Sequence, residues 1–311
     1  MITIWRKFYK LARPDGWDFP SGKTINYRDN IGKVINCYRF NRREEFFGKA
    51  FARASRKPDQ AWFEIPCSVY EVRGTPARKD RYGHEYWFSE LKVERELQPS
   101  EVFKWNYEEA CNPVNPFEIK TPMITDSHLY ELEKWASVIQ GLINPSSFLY
   151  SSAVEGSISY SIGRYPTHYP TLAVWDFVKS SVGDTAWNLV RDSAWHFIKN
   201  STYAKISFAP NLDEDEEGRR DLARGEVESS FMDSLWAYVG SLFIPIVRKW
   251  QILKSRYGFD DTWFERETYP FQPAVNLWKD GLVATDDGCR WMLHGGPKAK
   301  ILWMERNDEE F

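Results

Sequence analysis

The densest run of groups able to do chemistry lies between residues 39 and 57, where Arg39, Arg42, Arg43, Lys49, Arg53, Arg56 and Lys57 interleave with Phe40, Phe46, Phe47 and Phe51. Cationic heads neutralise phosphates and rings stack on bases, so the mixture suits nucleic acid. An amphipathic helix over Arg42 to Ala54, with Phe47 and Phe51 inward and the arginines in water, produces the same string. A second basic element, LHGGPKAK from Leu293 to Lys300, sets His294 and Lys298 beside Gly295 and Gly296. Exposed backbone N–H groups and ammonium charge there suit an anion. Gly-Gly-Pro is also what a plain turn requires, and neither GxxxxGK[ST] nor GxGxxG accompanies it.

Other chemistries lack their residues. Asp213, Asp215, Glu217 and Gly218 stand at places 1, 3, 5 and 6 of a calcium loop, but place 12 is Arg224 and Pro210 opposes an entering helix. A solvated charge run is the expectation. His84, His128, His168 and His196 show no HExxH or other ligand spacing. Cys37, Cys67, Cys111 and Cys289 form no CxxC pair, which leaves neither a zinc ribbon nor a disulfide framework to read and fits a cytoplasmic location. No GxSxG is present. We therefore expect no metal and no cofactor.

The elements that must position these groups follow from pattern. With 42% apolar and 27% charged residues the composition is that of a globular protein, and 15 Trp, 16 Tyr and 20 Phe make it unusually aromatic. The N-terminus lacks a signal-peptide core, and the longest apolar stretch, Leu235 to Val247, is too short for a membrane span and contains Pro245. Net charge is −3 but uneven: residues 1–60 carry fourteen Lys and Arg against six Asp and Glu, hence +8, and the remainder −11. Such asymmetry marks either an anion-binding surface or a solvated basic face.

The spacing predicts an α+β chain. Residues 1–110 read as a mixed-sheet domain: a strand over Ile2 to Leu11 stopped at Pro14-Asp15-Gly16, hairpin arms Thr24 to Arg28 and Val34 to Phe40, and strands Cys67 to Arg73 and Phe88 to Leu97. Three prolines in 111–124 mark a boundary. Residues 125–204 read as helical, opening with a helix capped by Thr125 or Asp126 whose Leu129, Leu132, Trp135, Ala136, Ile139 and Leu142 share one face. Residues 205–225 read as an acidic linker. Residues 226–311 read as a long helix over Glu226 to Arg256, a helix Pro273 to Leu282, and strands meeting at Asp286-Asp287-Gly288 and Gly295-Gly296-Pro297.

Within the helical region, Trp175 to Thr202 divides into WDFV, KSSV, GDTA, WNLV, RDSA, WHFI and KNST, with fainter copies WASV at Trp135 and WAYV at Trp236. As strands these tetrads would place Asp and Asn beside Val; as helices they segregate. Gly183 offers a break and Asp184 a cap, giving a helix to Lys199 with Ala186, Trp187, Val190, Ala194 and Ile198 on one face. An exposed stripe of Trp175, Trp187, Trp195 and Trp236 would make a protein partner or self-association the expected outcome.

GKTINYRDNIGKVINC with IPCSVYEVRGTP and FSELKVEREL, the WDFV-type tetrads, and YPFQPAVNLWKDGLV before WMLHGGPKAKILW together resemble a phage and prokaryotic family. In it a small N-terminal domain of unknown function precedes WDSV-like tetrads and a C-terminal LHGG module. The resemblance implies a fold arrangement and carries no activity. The family's GLHAS element is here GKAFARAS, Gly48 to Ser55, without histidine, which weakens a resemblance to ADP-ribosyltransferase-like enzymes using Arg39, Arg53, Ser55 or Glu90. The expectation is a non-enzymatic binding or structural accessory protein of phage or mobile-element origin. The alternatives are that nucleotide-handling enzyme and a nucleic-acid binder through 39–57.

Overall fold

Ser68–Gly74 is the strand around which the first half of the chain assembles: five of its first six residues are buried, since both faces of the sheet are covered there. In the computed structural model, which describes residues 6–19, 24–36, 52–81, 83–143, 184–202, 217–246 and 269–306, the chain is α+β. It divides into two compact units, Met1–Cys111 with Val182–Val190, and Asn112–Ser181 with Arg191–Phe311.

In the first unit the strands are β1 (Arg6–Ala12), β2 (Val34–Asn36), β3 (Ala52–Ser55), β4 (Ser68–Gly74), β5 (Arg78–Lys79), β6 (Glu85–Phe88) and β7 (Glu90–Leu97). They pair antiparallel in the order β2-β7-β4-β1-β3-β6-β5. One face buries Phe8, Ala12, Ala52, Ala54, Tyr70, Val72, Phe88, Leu91 and Val93 under Ile25 and Tyr27. A bulge in β7, where the register shifts opposite Glu71 and Val72, changes which face its residues meet. Leu91 and Val93 enter the main core, whereas Leu97 pairs with Val69 on the other side.

On that other side lies a stack of rings. Phe103, at the end of the short helix α1 (Pro99–Val102), is parallel to Phe63 (5.2 Å, 18°), which follows the 3-10 turn Pro58–Gln60, and to Tyr107 (5.1 Å, 5°), which opens α2 (Tyr107–Cys111). The stack is pinned by polar contacts at two points. The Tyr107 hydroxyl accepts from the Cys67 N–H at 2.7 Å and donates to the Cys67 carbonyl at 3.1 Å, and Trp105 Nε1 donates to Asp59 at 2.8 Å. Burial pushes the Cys67 thiol up to about 12, which makes it a packing group rather than a nucleophile.

In the second unit Thr125 caps α3 (Asp126–Ile143), its carbonyl and hydroxyl facing the His128 N–H. The remaining elements are α4 (Asp184–Thr202), of which the residues from Arg191 belong here, α5 (Glu217–Ser241), α6 (Gln272–Lys279), β8 (Leu282–Asp286), β9 (Trp291–Gly295) and β10 (Lys300–Met304). Helix α6 packs on α3, α5 and β8. Its Trp278 stacks on Tyr238 (5.4 Å, 11°), and the pair holds both backbone groups of Val114: Tyr238 accepts from its N–H at 2.8 Å and Trp278 donates to its carbonyl at 2.9 Å. The sheet order β10-β9-β8 leaves β8, among the described residues, without a strand on its outer side. Helix α5 closes that edge with serines, Ser234 donating to the Ala284 carbonyl at 2.9 Å and Ser230 accepting from the Asp286 N–H at 3.0 Å.

Four expectations change. Thr24 to Arg28 is no hairpin arm, because β2 pairs with β7 and residues Arg28–Asn30 form a 3-10 turn anchored by Arg28 on Glu96. Of the helix expected over Arg42 to Ala54, residues 42–51 lie outside the described residues, and Ala52 to Ala54 belong to a strand, since Ala52 and Ala54 enter the core while Arg53 points out, a period of two. Of the linker expected over 205–225, residues 217–225 belong to α5 and residues 205–216 lie outside the described residues. That helix stops at Ser241, ahead of Pro245, rather than running to Arg256, whose position lies outside the described residues.

Tyr107→Phe keeps the ring stack but leaves the buried Cys67 N–H without its acceptor. It should lower stability by about 1–3 kcal/mol, measured from urea unfolding midpoints; an unchanged midpoint would refute the pinning role.

Candidate functional site

Strands β1 and β3 are registered at a single pair, Tyr9 with Ser55, although β1 runs seven residues beside β4 and all of β3 is paired with β6. Beyond that pair they part, and a cleft opens between Lys10 and Leu11 on one side and Arg53 and Ala54 on the other. Phe19, following the turn at Pro14–Gly16, and Trp62, following the 3-10 turn Pro58–Gln60, form its lip, edge to face at 5.7 Å and 83°. Trp62 is 52% exposed.

The charges in the cleft come in two pairs. Lys10 is nearly buried, ion-paired with Asp18 and 5.0 Å from the Tyr27 ring centroid, so it stabilises the fold from within. Arg53 and Glu85 face each other more loosely, at 3.9 Å with about half of the arginine side chain in solvent, and Glu85 also lies 3.5 Å from the Trp62 N–H. The next position along the sheet from Arg53 is its registered partner Trp87, and Arg78 of the edge strand lies 4.7 Å over the Trp87 ring. Ser55 sits at the apex of the split, fully buried. Its hydroxyl faces the carbonyls of His84 and Lys57 and accepts from the Lys57 N–H at 3.0 Å. A serine so committed to backbone is a structural tie, not a nucleophile.

Of the residues singled out above, Arg53 reaches the cleft. Arg56 lies over the rings of Phe8 (5.0 Å) and Tyr86 (5.3 Å), and Lys57 is exposed beside it. Arg39, Arg42, Arg43, Lys49 and Trp175 lie outside the described residues. Glu90 opens β7, separated from β3 by β4 and β1, so Arg53, Ser55 and Glu90 do not converge. Trp187 is fully buried, on the face of α4 that also buries Ala186, Val190 and Ala194, so it belongs to packing rather than to an exposed stripe. Trp195 and Trp236 are half-buried, the latter 5.9 Å beneath the Arg191 guanidinium. The cleft's Tyr9, Phe19, Trp62 and Glu85 escaped sequence reading because nothing in local spacing relates four segments that only the split brings together. Among the described residues no group of His, Cys, Asp or Glu is placed to hold a metal ion, and no helix there is long and apolar enough to cross a membrane. Compared with family models, curated proteins and solved structures, the chain has no match.

His294 is internal rather than anion-facing. It is buried between the Thr285 hydroxyl (2.8 Å from Nε2) and the Ala299 carbonyl (3.1 Å from Nδ1), while Lys298 projects into water. A carbonyl only accepts, so Nδ1 carries the proton and Nε2 accepts from Thr285. The contact holds Ala299 in the left-handed region (φ 48°) and so closes the turn after Gly296. Burial pushes the imidazole below its ordinary value. The unfolded chain, whose histidine takes a proton near pH 6.5, then binds one that the native chain refuses, and stability falls as pH drops below that point by up to about 1.4 kcal/mol per pH unit. Urea midpoints between roughly pH 8 and 5 should show this decline, with His294→Asn lowering the midpoint at high pH and flattening the slope. An identical slope in the variant would place the effect elsewhere.

Proposed function

We propose that the chain is a non-enzymatic binding protein, of the phage or mobile-element accessory kind, in which the split in the seven-stranded sheet is the recognition site and the tetrad helices are scaffold. The observation that carries this reading is the commitment of the Ser55 hydroxyl to three backbone groups in a cleft whose accessible surface is otherwise rings and one Arg–Glu pair. A covalent catalyst needs a nucleophile with a base in reach and an open path to it. A binding site needs fixed rings and a few oriented charges, and Phe19, Trp62, Arg53 and Glu85 supply them. Cys67 and Cys111, both free and both close to the Tyr107 hydroxyl, accord with a reducing, cytoplasmic setting.

The enzyme alternative requires turnover of a nucleotide such as NAD. Incubation of the folded protein with NAD should release no nicotinamide above the blank. Release abolished by Ser55→Ala or Glu85→Gln would overturn the reading in favour of a transferase.

A further inference from the structure

We propose that the cleft and the adjoining corner of the sheet bind single-stranded nucleic acid, with one base held at the Phe19–Trp62 lip and the phosphates running across β3, β6 and β5. The inference rests on the binding reading above and names its ligand.

Three features of the corner fit that ligand together. The first is a stacking platform: Trp62 is half in solvent while Phe19 braces it edge-on, so its ring plane is set before anything binds. Every base has a π face, and a preset indole loses little freedom in meeting one. The second is a polar group for the base edge. Glu85 hydrogen-bonds weakly to the Trp62 N–H at 3.5 Å and faces Arg53 at 3.9 Å, so it is free to accept from an exocyclic amino group beside the stacked ring.

The third is charge. Strand register lays Arg53, Trp87 and Arg78 in one row on the solvent face, with Arg78 already stacked on the indole. Arg81 follows on the edge and Lys57 beyond the end of β3, both exposed, whereas Lys79 and Arg56 alternate to the other face, Arg56 over the rings of Phe8 and Tyr86. The carboxylates interspersed among them are largely committed elsewhere: Asp80 accepts from the backbone N–H groups of His84 and Glu85 at 2.7 and 3.1 Å, and Asp59 is bonded to Trp105. Six Lys and Arg (Arg53, Arg56, Lys57, Arg78, Lys79 and Arg81) against Asp59, Asp80 and Glu85 leave the corner net cationic, whereas further along the sheet Lys7, Arg73 and Arg95 are ion-paired with Glu71, Glu94 and Glu101. A duplex hides its base faces and cannot use the lip, and an acidic peptide has charge but few rings to stack. The combination selects an unpaired polynucleotide.

The test is anisotropy of a fluorescent single-stranded oligonucleotide of roughly twelve bases, as DNA and as RNA, against the full chain between about 50 and 200 mM salt, with the matching duplex and polyglutamate as competitors. Single strands should bind with quenching of tryptophan emission and outcompete both. Trp62→Ala should weaken binding about tenfold or more, Trp62→Phe less, with unchanged circular dichroism. Arg53→Ala and Arg78→Ala should each reduce the salt slope by about one, and Lys298→Ala should change nothing. No binding at the lowest salt, equal binding of duplex or polyglutamate, or a Trp62→Ala variant as tight as the parent would each overturn the proposal. Failure here without nicotinamide release leaves the non-enzymatic reading standing, whereas nicotinamide release defeats that reading whatever the oligonucleotide does.

Discussion

The buried hydroxyl of Ser55 is the interaction on which the N-terminal architecture turns. Strand β3 must pair fully with β6 and yet touch β1 only at Tyr9. Two strands that diverge leave backbone groups without ladder partners, and such groups are costly unless something else satisfies them. Ser55 supplies a donor and an acceptor at the apex, engaging the carbonyls of His84 and Lys57 and the N–H of Lys57. The split persists because its closed end is tied, and the cleft exists because of the split. Phe19 and Trp62 then occupy the opening, and the loose Arg53–Glu85 pair lines it.

The same device recurs in the second unit. An edge strand offers unpaired backbone groups that natural sheets cover or blunt. Here β8 is covered by a helix whose inward face carries Ser229, Ser230, Asp233 and Ser234, all buried. Hydroxyls of Ser230 and Ser234 meet the N–H of Asp286 and the carbonyl of Ala284, standing in for a fourth strand. Aromatic side chains do the same for irregular backbone, as Tyr238 and Trp278 do for Val114 and Tyr107 does for Cys67. The high aromatic content thus has two uses: rings fill the cores, and their polar tips satisfy the chain where regular pairing stops.

Charge follows a different logic on each part of the sheet. At Glu71, burial pushes the carboxyl up, but the hydrogen bonds and charges of Lys7 and Arg95 outweigh it and hold the group below its ordinary value. Glu96 is likewise pushed up by burial and drawn lower on balance by Arg28 and its neighbours. These ion pairs join neighbouring segments of the sheet and stabilise register. The β3–β6–β5 corner carries its cations at the surface, with Arg78 over the Trp87 ring and Arg53 facing Glu85.

What the residues determined alone was local. Alternation in ELKVEREL is enough for β7, the Thr125 cap and apolar stripe for α3, Gly183 followed by Asp184 for the start of α4, and the Asp-Asp-Gly and Gly-Gly-Pro turns for the C-terminal sheet, because each signal lies within one element's own period. Segments whose fate depends on a distant partner fold otherwise than their local pattern predicts. Ala52 to Ser55 carries helix-compatible residues and became a strand because β6 and the core claim it; Thr24 to Arg28 lost its hairpin because β7 offered β2 a better edge; His294 turned inward because Thr285 and Ala299 sit on either side of it. The cleft belongs wholly to this second kind. Tyr9, Phe19, Arg53, Trp62 and Glu85 are far apart along the chain, and only the parting of two strands makes them one surface, since pairing between strands is a long-range choice that no local pattern encodes.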